Sequence, residues 1–469
     1  MMTSPQAHPE AASYSPDPAI LRLGGDYYDP VKAADFPETR LRFRNDRWAA
    51  AVGLGHLDDD AWIAHFGRFE PLPGNLAEPL ALRYHGHQFR VYNPDIGDGR
   101  GFLFAQLRDK DGRLLDLGTK GSGQTPYSRF GDGRLTLKGG VREVLATEML
   151  EALGVNTSRS FSLIETGEAL HRNDEPSPTR SSVLVRLSHG HIRIGNFQRL
   201  AYFRETDALR RLTNYALSTL YDEQPGNEPE VRLLSLVVDR TAKLAASYMA
   251  AGFVHGVLNS DNINITGESF DYGPWRFAPR WEPGFTAAYF DEQGLYAFGR
   301  QAQAIHWDVV QLAIAMRELA EAETLVPVLE QFPALYEAAF RDAIFARLGI
   351  GSVDEQSDLA LLQAMEGGLA ETGIAIDRFF FDWRGGERRG PSPADEAYAH
   401  ESFAAFGMML ERFPRIASTD HPYWSDPEPC SMHIEEVEAI WAPIAEADDW
   451  SAFHAKIAAV RRMGEAMAC

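Results

Sequence analysis

The sequence is poor in cysteine, in positive charge and in long apolar runs. Its 469 residues include only two cysteines, Cys430 and Cys469, which excludes a disulfide framework and a cysteine-rich zinc site. A net charge of −22 at pH 7 argues against non-specific binding to nucleic acids or to anionic membranes. No apolar run approaches the length of a membrane span, and the N-terminus lacks the basic start and apolar core of a signal peptide. These absences predict a cytoplasmic protein that binds neither nucleic acid nor membrane.

What remains is the composition of a globular protein larger than one ordinary domain. Hydrophobic residues make up 45% of the chain and charged residues 24%, as in soluble globular proteins. Residues 1–20 are rich in Pro, Ser and Ala, which predicts a disordered N-terminal segment.

The most informative stretch is residues 253–274, FVHGVLNSDNINITGESFDYGP. Protein kinases have a catalytic loop of the form H-R-D-x-x-x-x-N, followed by an Asp-Phe-Gly whose Asp holds Mg²⁺. Asn262 has the spacing of that loop's metal-binding Asn, and Asp271 takes the part of the Asp in Asp-Phe-Gly. The kinase catalytic Asp is replaced by Val257, and the nearest carboxylate is Asp261. Ordinary loops also favour Asp, Asn and Gly, but both halves in order predict retained metal ligands and a relocated base.

A glycine-rich turn precedes a predicted β-hairpin in the first half of the chain. Gly97 and Gly99 flank the start of this turn, and residues 101–107 and 114–119 read as the two strands. Glycines let backbone N–H groups approach phosphate, although the spacing here is not G-x-G-x-x-G. Arg100 adds a permanent cation at the turn.

Further cations and one carboxylate have the order expected of a phosphate site. Lys120 ends the second strand, and Glu143 lies in a helix predicted over residues 141–153. Kinases pair such a Lys and Glu, whereas a solvated Glu in a first helical turn is the plainer alternative. Arg186 and Arg193 bracket a short turn, which suits a polyphosphate clamp or two ordinary surface positions.

A His-x-His pair, His85 and His87, lies upstream of the glycine-rich turn. Such a pair can ligate a metal, but no third ligand lies near it in the sequence. We therefore expect a packed or hydrogen-bonding pair.

The order of these patterns predicts an α+β protein with the bilobal fold of protein kinases. Residues 21–200 would form the N-terminal region and a β-containing, nucleotide-binding N-lobe. Residues 201–469 would form a larger, mainly helical C-lobe that contains the catalytic and metal-binding loop. A long helix over residues 231–251 would lead into that loop, and another apolar helix is expected to begin at Trp307-Asp308.

Four sequence blocks together resemble the selenoprotein O family of protein adenylyltransferases. They are GDGRG, LDLGTKGSGQTPYSRFGDGRLTLKGGVREVLATEML, VLVRLSHGHIRIGNF and HGVLNSDNINITGESFDYGPWRF. The resemblance implies a kinase-like fold that binds ATP flipped relative to kinases and transfers AMP to Ser, Thr or Tyr hydroxyls of proteins. Bacterial relatives have also been linked to UMP transfer with Mn²⁺, so UTP is a second implied donor.

The same resemblance implies a role for each candidate residue. Asp261 would be the catalytic base, Asn262 and Asp271 would hold Mg²⁺ or Mn²⁺, and Glu143 would support Lys120 through an ion pair. The implied nucleotide-binding residues are Gly97, Gly99, Arg100, Lys120, Asp132, Gly133, Arg186, Arg193 and Asp271.

The chain also departs from the family pattern. Trp307-Asp308-Val309 stands where relatives usually have Trp-Asn-Leu, and the familiar C-terminal pattern fades after about Phe380. The leading hypothesis is a metal-dependent protein adenylyltransferase. Its alternatives are a kinase-like phosphotransferase and a catalytically silent, ATP-binding regulatory module.

Overall fold

The computed structural model describes residues 12–173 and 175–469 and has a mixed α+β architecture. Its strands are β1 (Tyr28–Pro30), β2 (Arg40–Arg44), β3 (Leu80–Leu82), β4 (Gly86–Gln88), β5 (Val91–Asn93), β6 (Leu103–Arg108), β7 (Leu114–Lys120), β8 (Leu135–Thr136), β9 (Arg159–Leu170), β10 (Thr179–Ser188), β11 (Phe253–Val254) and β12 (Arg276–Phe277). Eight of them form an antiparallel sheet in the order β1-β3-β6-β7-β10-β9-β2, with β8 beside β10. β4 pairs with β5 and β11 with β12 in two small separate sheets.

Helices make up most of the chain beyond the sheet. They are α1 (Asp46–Ala51), α2 (Asp59–Phe66), α3 (Leu137–Ala152), α4 (Ile194–Tyr202), α5 (Thr206–Tyr215), α6 (Pro229–Ala251), α7 (Gln301–Met316), α8 (Ala322–Leu329), α9 (Phe332–Leu348), α10 (Glu355–Thr372), α11 (Ile376–Asp382), α12 (Asp395–Tyr398), α13 (Glu401–Leu410), α14 (Ile434–Ala447) and α15 (Ser451–Met467). The expected α+β class, with a β-containing first part and a larger helical second part, is confirmed.

The predicted hairpin is the β6–β7 pair at the centre of the sheet. Gln106 lies opposite Asp116 across the hairpin. Every residue of β7 is buried because β7 has a neighbouring strand at each edge and an apolar cluster on each face, with Leu114 in one cluster and Leu115 and Leu117 in the other. This position places Lys120, the last residue of β7, inside the protein instead of at its surface.

The helix predicted over residues 141–153 begins four residues earlier, as α3. Thr136 caps its N-terminus, because the Thr136 hydroxyl accepts a hydrogen bond from Gly139 N at 3.1 Å. The apolar face of α3 packs in the core, and Glu143 shares that buried side of the helix. The interpretation of Glu143 as a solvated residue is therefore wrong.

The long helix that leads into residues 253–274 is confirmed as α6. It begins at Pro229, which suits the first helical turn. It ends at Gly252, whose φ of +69° lies in the left-handed region that glycine adopts without steric cost. The chain then reverses into β11 and the loop that carries Asp261.

The helix expected to begin at Trp307-Asp308 begins earlier, at Gln301, as α7. A 3₁₀ turn over Phe298–Arg300 leads into it, and Gln301 is buried with its side-chain amide bound to Phe253 O at 2.7 Å. The helix starts at a polar residue whose hydrogen-bond partner is distant in the sequence. The spacing of apolar residues therefore does not reveal where the helix begins.

Residues 1–11 of the segment predicted to be disordered lie outside the described residues. Beyond them the structure departs from the prediction, because Pro16 forms a β-bridge with Leu107. Ala19 and Ile20 are buried in the core.

The C-terminal helix α15 returns to the first part of the chain and packs against α3. Its Arg461 donates to the buried Glu148 of α3 at 2.7 Å, and apolar residues of both helices belong to one core. Within the described part of the chain, no helix combines the length and apolarity needed to cross a membrane.

Candidate active site

Asp261 lies on a short 3₁₀ turn, Ser260–Asn262, between β11 and β12. Its side chain is buried, and its Oδ1 has no hydrogen-bond partner among the described residues. The backbone of Gly86 covers it so closely that a Cβ at residue 86 would lie 2.8 Å from the Asp261 Cβ. Burial raises the pKa of Asp261 to about 7, against the opposing charge of Arg193. A carboxylate with a pKa close to neutrality can accept a proton from a substrate.

The neighbouring Asn262 is oriented by the loop itself. Its side-chain Nδ2 donates to Val257 O at 2.9 Å. Because this bond uses the nitrogen of the amide, the side-chain oxygen remains the atom suited to bind a cation. Val257, at the kinase position of the catalytic Asp, thus contributes only its backbone to the site.

Asp271 is an acid of the site that nearby cations keep ionised. Burial alone would raise its pKa, but Lys120, Arg186 and Arg100 outweigh burial and hold the pKa well below its usual value. Lys120 Nζ lies 2.6 Å from Asp271 Oδ1, and Arg186 Nη1 lies 3.4 Å from the same oxygen. Asp271 also has a φ of +63°, a left-handed conformation that Asp tolerates better than most residues. Its carboxylate therefore stays ionised, which is the state that a metal ion would require.

The predicted ion pair is present, because Lys120 Nζ also binds Glu143 Oε1. Lys120 and Glu143 are 4% and 1% exposed, so α3 holds the Lys beside Asp271 out of bulk water. The second Oε of Glu143 has no hydrogen-bond partner among the described residues.

The two predicted arginines both point into the site. Arg193 Nη1 donates to Asp261 O at 3.2 Å, and its Nη2 lies 3.3 Å from Asp98 Oδ1. The Nε atoms of Arg193 and Arg186 are buried and have no partner within the described chain. Unpaired buried guanidinium hydrogens fit a site for a polyanion.

The glycine-rich turn packs against Tyr127 and the end of β7. A Cβ at residue 97 would lie 2.5 Å from the Tyr127 ring, and one at residue 99 would lie 2.9 Å from Tyr127 O. Arg100 O accepts from Gly121 N at 2.6 Å, which ties this turn to the residue after Lys120. Only glycine fits at positions 97 and 99 without displacing Tyr127.

Asp132 and Gly133 lie farther out. Gly133 has a φ of +70°, and its carbonyl accepts from Gly123 N at 3.1 Å. The Asp132 carboxylate binds Arg172 at 2.8 Å and is 47% exposed, so it is not part of the buried cluster.

His85 and His87 form a packed pair. His85 Nδ1 lies 2.8 Å from Tyr92 OH, and His87 Nδ1 lies 2.8 Å from Gln198 Nε2.

Among the described residues, no group of three or more His, Cys, Asp or Glu side chains could hold a metal ion. Asn262 and Asp271 are the side chains that could hold a divalent cation beside Asp261, and such an ion would need waters or phosphate oxygens as further ligands.

Two acids of the site were missed by sequence reasoning. Asp98, the partner of Arg193, lies inside GDGRG between the candidate residues Gly97 and Gly99. The motif therefore already pointed to this acid. Asp308 is fully enclosed, and burial together with the charge of Asp261 raises its pKa well above the usual value. In the sequence, Asp308 stands out only as a departure from a family pattern, because nothing local links residue 308 to residue 261.

These features define a protein of the kinase-like class. A strand Lys is paired with a helix Glu, a loop places an acid beside the amide of Asn262, and a second acid faces both the Lys and two arginines. Val257 stands where kinases have their catalytic Asp, and the nearest acid of the loop is Asp261.

The chain belongs to the protein adenylyltransferase SelO family, whose family model matches residues 10–413. It is 45% identical over 464 residues to the protein nucleotidyltransferase YdiU of Gloeobacter violaceus, with 95% of each chain covered. Its identity to the protein of the same name from Synechocystis is 41%, over 93% of this chain and 96% of that one. A Toxoplasma gondii rhoptry antigen kinase domain matches with 12% identity and a TM-score of 0.27, over 57% of this chain and 84% of that chain, a likeness too low to bear on the fold.

Proposed function

We propose that this protein transfers AMP from ATP to Ser, Thr or Tyr hydroxyls of other proteins and releases pyrophosphate. The observation that carries the proposal is the position of Asp261, a buried acid with a pKa of about 7 directly beside Asn262. The family and its curated relatives are described as protein adenylyltransferases and nucleotidyltransferases, which supports the same chemistry.

The reaction needs a proton acceptor and a set of cations. The acceptor hydroxyl oxygen forms a bond to the α-phosphorus of ATP and gives its proton to Asp261, while the bond from the α-phosphorus to pyrophosphate breaks. The negative charge that develops on pyrophosphate is stabilised by Lys120, Arg186 and Arg193. A Mg²⁺ or Mn²⁺ ion held by Asn262 and Asp271 would neutralise further phosphate charge.

The remaining assignments are part of the same proposal. The nucleotide contacts Gly97, Gly99 and Arg100, with Asp132 and Gly133 at the outer side. We propose that it lies between an N-lobe of residues 21–200 and a C-lobe of residues 201–469. UMP transfer from UTP and a cytoplasmic location also stay predictions.

The alternatives differ in the phosphorus atom that is attacked. A kinase-like phosphotransferase would transfer the γ-phosphoryl group and leave the displaced base at Asp261 unexplained. A silent regulatory module would bind ATP and transfer nothing.

The decisive experiment uses ATP labelled at the α- or the γ-phosphate, with Mg²⁺ or Mn²⁺, the purified protein and a mixture of unmodified proteins. Mass spectrometry should find AMP, and only the α-label, on protein hydroxyls. EDTA should abolish the transfer. Transfer of the γ-label alone would refute the proposal in favour of a kinase, and bound ATP without any transfer would favour the silent module.

A further inference from the structure

The β4–β5 hairpin lies directly on the loop that carries Asp261, and the proposed chemistry gives it no role. Two of its backbone N–H groups hold it there. His87 N donates to Ser260 Oγ at 2.7 Å, and Phe89 N donates to Asn259 Oδ1 at 3.0 Å. The hairpin is therefore attached through its backbone, and the Arg90 side chain at its tip adds one contact, with its guanidinium 5.4 Å from the Trp307 ring.

The residues at the tip of this hairpin disfavour the backbone conformation that they adopt. Phe89 and Arg90 are its two turn residues, with φ values of +50° and +63°. A two-residue turn with positive φ at both positions is formed most easily by Asn-Gly, and residues with a bulky Cβ substituent are strained there. Strain of this kind persists mainly where the side chains have a function.

The strained tip presents an aromatic surface to solvent. The Phe89 ring lies 5.8 Å from that of Phe290, and Phe290 lies 5.1 Å from Tyr289. Tyr289 is 85% exposed and Phe290 46% exposed. We call these three rings the acceptor surface. Contiguous exposed aromatic rings beside a catalytic loop mark a binding site for another molecule.

A second contact ties the acceptor surface to the catalytic loop. Tyr296, whose ring lies 5.0 Å from that of Phe89, donates its hydroxyl hydrogen to Asn259 Oδ1 at 2.7 Å. Asn259 thus holds both the hairpin and the segment that carries Phe290. The position of the surface relative to Asp261 is therefore determined by bonded and packed groups.

We propose that the acceptor surface binds an extended segment of the acceptor protein through a large apolar side chain two or three residues from the modified hydroxyl. The inference rests on the proposed function. Gly86 touches Asp261, and Phe89 lies three residues farther along, about 10 Å away at the rise of a β-strand. An extended acceptor chain covers that distance in about three residues, and the surface that it meets there consists of rings.

The test compares nine-residue peptides with a central Tyr, Ser or Thr and either Leu or Gln two and three residues away, with α-labelled ATP as donor. The wild-type chain should prefer the Leu peptides by about tenfold in kcat/KM, the range expected for one aromatic anchor. The double variant Phe89→Asn with Arg90→Gly supplies the favoured turn residues without the ring. It should lose the preference and keep the wild-type KM for ATP. Its melting temperature should stay close to that of the wild-type chain, because the favoured turn offsets the lost contact between Arg90 and Trp307. Leu359→Ala, an exposed apolar residue on α10, should keep the preference.

Each contrary result has a distinct meaning. Equal rates on Leu and Gln peptides would overturn this inference and leave AMP transfer standing. If size-exclusion chromatography finds the wild-type chain dimeric and the double variant monomeric, with the peptide preference kept, the surface is a contact between copies and the acceptor role is overturned. Absence of AMP on every peptide and protein would overturn the proposed function and this inference with it.

Discussion

Replacing Asp261 with Asn should abolish AMP transfer and stabilise the folded protein. Burial raises the pKa of Asp261 from 3.8 to about 7, so the ionised carboxylate destabilises the folded state. Its Oδ1 has no hydrogen-bond partner within the part of the chain that the structure describes. The difference between these pKa values corresponds to at most about 4 kcal/mol above pH 7. Asn has nearly the same shape and carries no charge, so it still fits against Gly86.

The size of the stabilisation depends on pH. Between about pH 4 and pH 7 the folded protein keeps the proton of Asp261 whereas the unfolded chain releases it, so this group's contribution to stability is lost as the pH rises. The advantage of Asn should therefore be near zero at about pH 4 and complete above about pH 7. An unfolding entropy of about 2.1 cal/mol/K per residue over 469 residues is about 1 kcal/mol/K. The melting temperature at pH 8 should rise by about 4 °C.

The assay is a thermal melt of both proteins at several pH values, together with transfer from α-labelled ATP. Loss of a general base lowers the rate by about 10²–10⁴-fold, and binding of ATP should be retained. Asp98→Asn is the matched control, because it removes the partner of the buried Arg193 and should lower the melting temperature. A lower melting temperature for Asp261→Asn at pH 8, or transfer within tenfold of the wild type, would refute the reasoning.

Two further predictions concern buried ion pairs. Glu143→Gln should lower AMP transfer about tenfold or more while the fold persists, because Lys120 loses a charged partner that positions it; labelled transfer and a thermal melt check both parts. Arg461→Met should lower the unfolding free energy by about 2 kcal/mol, because the buried Glu148 loses its nearest cation and keeps, among the described residues, only the more distant Arg47, at 3.9 Å. Lys243→Met, which breaks an exposed pair, should change it by less than about 0.5 kcal/mol, and equal losses in chemical denaturation would contradict this account.

Local sequence determined much of this protein. The order and spacing within residues 253–274 were enough to propose Asp261, Asn262 and Asp271 as candidates, because this loop is a short segment of the sequence. Their roles stay predictions. The β6–β7 hairpin and α6 were also predictable, since turn residues, alternation and helical periodicity act over a few neighbouring residues.

The tertiary structure decided what local patterns leave open. Periodicity allowed Glu143 to be either solvated or paired, and only the packing of α3 against the sheet buries it beside Lys120. Asp308 acquired its relation to Asp261 in the same way, across 47 residues of sequence. The pKa of Asp261 depends on burial, to which the distant Gly86 contributes. Burial and partner choice arise from contacts between segments far apart in the chain, and those contacts leave no periodic signal in either segment.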